Sequence, residues 1–489
     1  MPDHFITEKL SYCNSVLRGL PFRRWTSTRI FRPQSVDARS FLSVGFSCLQ
    51  NICRRQTLGS TEGRTMRKSK WVGVALGVVA SASVARADGT KELWHYYAAG
   101  SEKAGIEALI AFANKQNPSN QIVGKVIPGN AVEMRRQLQT AFMGNTPPAA
   151  YQSSMASELK TFVDSGKLHD LSETWAKING DKIFPEGVQR VVKIGGKPYG
   201  IPYDLSLINN IFYNKAIFTK AGLEPPKDYD GLVAACDKLR AAGVEPLGNA
   251  GGPFWSLYNF YAPLVSTVGI EGYYKIASGE LGFDTPEFRK SLDLYRSTMV
   301  TCYAKNWSGK TWTQTADDVV NGNTGMFMMG AWAAAYFKQA GFAPVEKFDV
   351  FPAPGTEGKA IFQMDAFAVP EGPADTLETA ERFVISAASA EGQAAFAVPK
   401  GSLAPNVTVD PSIYDAVGAK FAKELADASK ANAVLPNLFF LLPTKVGTEL
   451  GVQIEKFAID PSDANENEMI TTLEGLRQEA LTEGSYQKW

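Results

Sequence analysis

The residues best suited to chemistry in this chain are aromatic and polar side chains placed where predicted strands end. Trp94-His95-Tyr96-Tyr97 stands just before a turn, with Glu102 beyond it, and Tyr151-Gln152-Ser153-Ser154 closes a second strand. Phe254-Trp255 follows the glycine-rich Gly248-Asn249-Ala250-Gly251-Gly252, Gly330-Ala331-Trp332 opens a helix, and Asp365 follows Phe362. Such a set suits a sugar. The C–H faces of a pyranose stack on aromatic rings, while its vicinal hydroxyls donate to carboxylates and accept from amides and ammonium groups. Each aromatic taken singly fits a core position equally well; their joint occurrence at several strand ends carries the reading.

Covalent and acid–base chemistry has less support. No Ser-His-Asp or Cys-His set can be assembled, since only His95 and His169 follow residue 87. The Gly248–Gly252 segment has no following Lys-Ser/Thr and reads as a loop rather than a phosphate cradle. No stretch has EF-hand or zinc spacing, and no cofactor is expected. A carboxylate pair in a secreted carbohydrate-active enzyme remains as an alternative, because acids are plentiful and need no motif.

The elements that must position these residues alternate. A strand over 91–97 precedes a helix whose Ile106, Leu109, Ile110 and Ala113 share one face. A strand over 121–127, a helix over 132–143, a strand over 149–152 and a helix over 156–164 continue a βαβαβα order, which predicts a mostly parallel sheet covered on both faces. Ligands of such sheets lie outside the carboxyl ends of the strands, where the aromatic and polar set falls. Lys197–Asp204, with two prolines and a glycine, and Val350–Gly355 read as segments crossing between two domains.

The first 87 residues stand apart. Met66-Arg67-Lys68-Ser69-Lys70, the uncharged run from Trp71 to Val84 and Ala85-Arg86-Ala87 form the basic, apolar and small-x-small regions of an export signal. The run is too short to span a bilayer stably. Residues 1–65, rich in Arg and Ser, are read as a non-native upstream extension, with a transit peptide as the alternative. Residues 1–87 hold 14 Lys+Arg and 4 Asp+Glu; the other 402 hold 36 Lys+Arg and 46 Asp+Glu. An acidic exported chain without a basic patch argues against nucleic acid. Its length suits two domains. After residue 87 only Cys236 and Cys302 remain, and an oxidising compartment favours a disulfide between them over two separate buried thiols.

Several segments together resemble the extracytoplasmic solute-binding proteins of ATP-driven sugar importers. They are Asn145–Ala149, Tyr199-Gly200-Ile201-Pro202-Tyr203, Ile211–Lys215, Gly322–Trp332, Phe351-Pro352-Ala353-Pro354-Gly355 and Pro399-Lys400-Gly401-Ser402. Ala99–Lys103 followed by Ile106–Ile110 is similar to the first strand–helix turn of the glucose- and galactose-binding members. The resemblance implies an α/β, two-lobed periplasmic binding protein fold of type II, with doubly wound sheets in each lobe joined by a hinge. It implies lobes of 88–201 with 356–410 and 202–355 with 411–489, and a disulfide at Cys236 and Cys302. Glu102, Gln152, Trp255, Asp365 and Lys400 fall on contact positions; Trp94, Tyr97, Ser206 and Trp332 complete the expected ligand-binding set. Ser206 and Ala331 stand where a glucose-binding relative offers a more polar side chain. The implied protein is a periplasmic monomer without catalytic residues. It closes on a monosaccharide such as glucose or galactose and presents it to the permease subunits of an inner-membrane transporter. An oligosaccharide or polyol is the alternative ligand.

Overall fold

The computed structural model describes residues 91–98, 100–129, 131–153 and 156–489; the export signal and the segment before it lie outside the described residues. Short apolar strands alternate with amphipathic helices from the start. Leu93 at the centre of β1 (Lys91–His95) is buried, and the helix Gly100–Gln116 lays Ile106, Leu109 and Ala113 on the sheet. β2 (Ile122–Val126) and β3 (Ala150–Ser153) flank β1, both parallel to it, as the βαβ alternation predicts.

β4 (Lys193–Ile194) and β5 (Lys197–Pro198) form a small hairpin before β6 (Ile201–Leu207). The second sheet holds β7 (Asn210–Asn214), β8 (Glu245–Gly248), β9 (Thr324–Met328) and β10 (Phe348–Pro352), in the order β10-β7-β9-β8. β7 runs antiparallel to both its neighbours, so this sheet is mixed. β11 (Ala360–Ala368) and β12 (Val434–Pro436) return to the first sheet, whose order is β12-β11-β3-β1-β2 with β6 on the free side of β11.

The strand pairing departs from the expected segments at two places. The Lys197–Asp204 stretch does not cross between sheets: Lys197–Pro198 closes the hairpin with β4, and β6 pairs antiparallel with β11 from Ile201 to Leu207. Pro202 is tolerated because β6 lies at the sheet's edge, where an isolated bridge of Leu205 with Leu403 stands on its other side and leaves position 202 without a partner strand there. The chain crosses at Ile208 and Asn209 instead. In the C-terminal part, β12 pairs with β11 and so belongs to the first sheet, although it lies in the 411–489 segment expected in the other lobe.

The crossing is tied by one side chain. Asn209 donates from Nδ2 to Thr356 Oγ1 (3.0 Å), the Lys359 carbonyl (3.1 Å) and Glu424 Oε1 (3.2 Å), and its Oδ1 accepts from the Ile361 amide (3.0 Å). Both outgoing and returning strands are therefore held at the same point. The helix Ala416–Lys430, which carries Glu424, bridges the lobes: it packs on β11 and β12, sets Phe421 against Phe212 of β7, and pairs Lys420 with Asp349 of β10 at 2.5 Å. Burial pushes the Glu424 carboxyl up to about 7, against the pull of its hydrogen bonds to Asn209 and Asn210.

Cys236, on the helix Tyr229–Ala241, and Cys302 are both fully buried and joined in a disulfide spanning 66 positions. The cross-link lies wholly in the second lobe, far along the chain from the crossings. Replacing both cysteines by alanine is expected to cost about 2–4 kcal/mol of stability, because a long loop is released in the unfolded chain. Thermal melts of the two forms check this, and ligand affinity is expected to stay unchanged.

Candidate functional site

The first-lobe half of the site is a buried polar cluster on the β6–β11 pair. Asp204 of β6 and Asp365 of β11 stand directly opposite each other in the antiparallel register, with a bulge just after Asp365. Two carboxylates placed so close repel strongly once removed from water. Lys400 lies between them in charge: its Nζ donates to Asp204 Oδ2 and to the Tyr97 hydroxyl (3.0 Å). Tyr97 in turn donates to Asp365 Oδ2, and Tyr96 donates to Asp365 Oδ1 at 2.8 Å. All but the half-buried Tyr96 are nearly sealed from solvent.

The local sequence explains the assembly. Tyr96 and Tyr97 leave the carboxyl end of β1, where a parallel sheet opens toward ligand. Lys400 ends the helix Ala390–Lys400, which lies tightly against the helix Gly100–Gln116. The approach depends on Gly105: a Cβ there would stand 3.0 Å from the Phe396 carbonyl and 3.2 Å from the Lys400 Cβ. The ammonium rests over the rings of Tyr97 (4.8 Å) and Phe396 (5.4 Å), adding cation–π attraction to the ion pair.

Protonation follows from this packing. Burial pushes the Asp365 carboxyl up to about 6; Lys400 pulls the other way and Asp204 adds to the rise. Burial opposes the charge on Lys400, yet Asp204, Asp365 and Glu102 together hold its pKa above the ordinary value. Glu102 sits in the first turn of its helix with a solvent-exposed side chain. The surrounding protein still raises its carboxyl, with Lys400 opposing and Asp204 reinforcing. A group at the rim of a concavity can be both wetted and surrounded.

The second-lobe half is aromatic. Trp255 and Tyr258 lie one turn apart on the helix Pro253–Ala277, their rings perpendicular at 5.8 Å. Trp332 stands 6.3 Å from Trp255 and 6.4 Å from Tyr258. Its indole folds back over Gly330, where a Cβ would come within 2.1 Å of the ring. Trp255 and Trp332 keep part of their faces open, as stacking platforms need. The two halves meet where the Tyr258 hydroxyl donates to Gln363 Oε1 on β11.

Of the expected residues, Tyr97, Asp365 and Lys400 share one hydrogen-bonded cluster, with Glu102 within electrostatic reach. Gln152 joins it through Tyr96, whose amide donates to Gln152 Oε1 at 3.2 Å. Ser206 lies on the same face of β6 as Asp204, two positions on. Trp255 and Trp332 form the facing platform. Trp94 is placed elsewhere: its indole N–H donates to Glu92 at 2.9 Å and Lys125 covers its ring at 4.8 Å. It lies within β1, on the face it shares with Glu92 and its register partner Lys125, whereas Tyr96 and Tyr97 lie past the strand end. Asp204, Tyr96, Gln363 and Tyr258 were missing from the expected set. Two of them carried a legible signal: Gln363 is two positions from Asp365 on one strand face, and Tyr258 is three from Trp255 on one helix face.

Some buried polar atoms of this region have no hydrogen-bond partner: Asp204 Oδ1, Ser206 Oγ and Gln152 Nε2. Buried groups left in that state are costly unless something else satisfies them. Among the described residues no group of His, Cys, Asp or Glu could hold a metal ion. Cavities of about 290 Å³, beside Lys160 and Lys445, and about 210 Å³, beside Ser402 and Tyr414, contain neither Asp365 nor Trp255.

A lobed pair of α/β sheets, tied at Asn209 and presenting a polar cluster to an aromatic platform, is a binding architecture. The profile of the family described as bacterial extracellular solute-binding protein matches residues 99–394. The chain belongs to that family. A protein of Mesorhizobium japonicum named "Probable sugar-binding periplasmic protein" is 29% identical over 371 residues, covering 75% of this chain and 87% of its own length. The xylose/arabinose-binding protein of Haloferax volcanii is 24% identical over 370 residues, 74% of this chain and 79% of that one. Among solved structures, the bacterial solute receptor AcbH superposes with a TM-score of 0.71 at 20% identity, covering 80% of this chain and 98% of AcbH. AcbH is described as having an exclusive preference for β-D-galactopyranose. At that identity the likeness establishes the two-lobed fold. Family membership makes this chain a solute-binding protein and answers the enzyme alternative.

Two consequences are measurable. Lys400→Met leaves Asp204 buried without its cation, and is expected to cost about 3–5 kcal/mol in chemical denaturation. Asp365 has a folded pKa near 6, above its unfolded value, so the folded state binds the extra proton between about pH 4 and pH 6. Its contribution to stability therefore falls as pH rises through that window. Melting temperatures of the ligand-free protein across that range are expected to decline less steeply in Asp365→Asn.

Proposed function

We propose that this chain is an extracytoplasmic sugar receptor of an ATP-driven importer, taking a monosaccharide of the glucose or galactose kind. The observation that carries the reading is the opposition of the Asp204–Asp365–Lys400–Tyr97 cluster in one lobe to the Trp255–Trp332–Tyr258 platform in the other. A pyranose ring stacks on the platform and exchanges hydrogen bonds with the cluster. Gln152, Ser206 and Glu102 supply further polar contacts at the strand ends.

We place closure by hinge motion at Ile208–Asn209 and at the return between Pro352 and Ala360, the two places where the chain passes between the sheets. The two lobes we assign are 91–207 with 360–436, and 210–352 with the C-terminal helices. The helices Thr444–Ile459 and Asp463–Thr482 join the second lobe, the former lying against the helix Pro253–Ala277. The closed form is what a membrane permease reads. A periplasmic site of action agrees with the export signal at Met66–Ala87, the acidic balance after it and the periplasmic designation of the Mesorhizobium relative.

Micromolar affinity needs about 8 kcal/mol, within reach of two stacked rings and a few charge-assisted hydrogen bonds in a desolvated cleft. The relative in Haloferax volcanii and AcbH are both named for single sugars, which supports a monosaccharide over a longer chain. Tryptophan-fluorescence titration against monosaccharides and disaccharides tests the proposal, because Trp255 and Trp332 lie in the site. Trp255→Ala and Asp365→Ala are each expected to abolish most binding while the protein stays folded. Unaltered affinity in both would refute the site, and no response of the parent protein to any sugar would refute the function.

A further inference from the structure

The polar cluster is unbalanced in charge. Asp204 acts on both Asp365 and Glu102, and the cation that acts on those two is Lys400, whose Nζ is already committed to Asp204 and the Tyr97 hydroxyl. Asp204, Asp365 and Lys400 are buried, where water screens charge least, while Glu102 lies at the exposed rim. The second observation is a missing partner. Asp204 is 2% exposed; its Oδ2 is held by Lys400, while its Oδ1 accepts from nothing. An ionised carboxylate oxygen can only accept. Ser206 Oγ, two residues along the same strand face, is likewise buried and unpartnered. Burying two such groups without partners costs stability on its own account, and a ligand that supplies the missing donor recovers the loss on binding.

We infer that Asp204 is a specificity-determining residue of the sugar site, accepting a hydrogen bond from a ligand hydroxyl or ammonium, so that the site takes neutral and amino sugars and refuses uronic acids. The inference rests on the sugar-receptor reading above and adds the charge of the ligand to it. A hydroxyl donating to Oδ1 completes the hydrogen-bond count. An ammonium in the same place also relieves the excess negative charge. A carboxylate brought there would meet three acids and a lysine already paired with one of them, so its desolvation would go uncompensated. Oδ1 is enclosed with the lobes as described, so a ligand reaches it by parting the Tyr258–Gln363 contact, which is the motion a hinged receptor makes.

Isothermal titration of the full chain against glucose and galactose, glucosamine and galactosamine, and glucuronate and galacturonate separates the possibilities. Expected results are binding of at least one neutral sugar, an amino counterpart bound at least as tightly, and a uronate weaker by at least about tenfold, a difference readily set by one unpaired charge in a desolvated site. Asp204→Asn, which keeps shape but adds donors, is expected to weaken the neutral sugar and to erase any advantage of the amino sugar. Should that variant fail to fold, the series on the unaltered protein still decides. A uronate bound as well as its neutral counterpart overturns the inference and leaves the sugar-receptor reading standing, as does a folded Asp204→Asn with unchanged affinities across the series. Absence of binding by all six sugars overturns both.

Discussion

Two acids opposite each other across one antiparallel strand pair can share a protein interior only if a cation is held between them. Asp204 and Asp365 are so placed, and Lys400 is the cation. Much of the first lobe is arranged around that requirement. Gly105 lets two helices touch so that Lys400 arrives at the sheet, Tyr97 links the ammonium to the second carboxylate, and Tyr96 fills that carboxylate's other oxygen. The arrangement is costly in a free protein. Two carboxylates and one ammonium are desolvated, and one carboxylate oxygen has no donor. A protein selected for stability alone would have replaced them with packed apolar groups. Their presence makes sense where the missing donor arrives with a ligand.

The second lobe contributes a surface instead of charge. Trp255, Tyr258 and Trp332 come from two segments about 75 residues apart, brought together at the mouth of a mixed sheet. A ring that stacks there loses water from its apolar faces while its hydroxyl edge turns toward the acids and Lys400. On the proposed reading the lobes divide the labour: one selects hydrogen-bonding pattern and charge, the other supplies apolar contact. Neither half alone encloses a ligand, which is why closure and recognition are one event in this architecture.

The hinge is built with the same economy. Asn209 uses every hydrogen-bonding atom of its side chain to fasten the outgoing strand to the returning one, and the helix Ala416–Lys430 spans both lobes. Motion must occur around this point and not through it. The disulfide of the second lobe stiffens a region that takes part in neither hinge nor cluster, so stability and recognition are set by separate parts of the molecule.

Local pattern by itself determined the alternating α/β order, the helix faces around Ile106 and Leu109, the pairing of two surviving cysteines and the general set of strand-end aromatics. The element order and helix faces follow from periodicity, a property of neighbouring residues, and the cysteine pairing from two cysteines remaining in an exported chain. Resemblance added Lys400, which no local pattern marks. Tertiary structure alone decided three things. It kept Ile201–Leu207 in the first sheet, because an edge strand tolerates the proline that looked like a break. It turned Trp94 to Glu92 and Lys125, because within β1 it shares a face with them, while Tyr96 and Tyr97 lie past the strand end. It placed Asp204 opposite Asp365, a juxtaposition across 161 residues that depends on strand register. Register, unlike periodicity, is set by how distant segments pack, so the residue that completes the charge of the site became visible only in the folded chain.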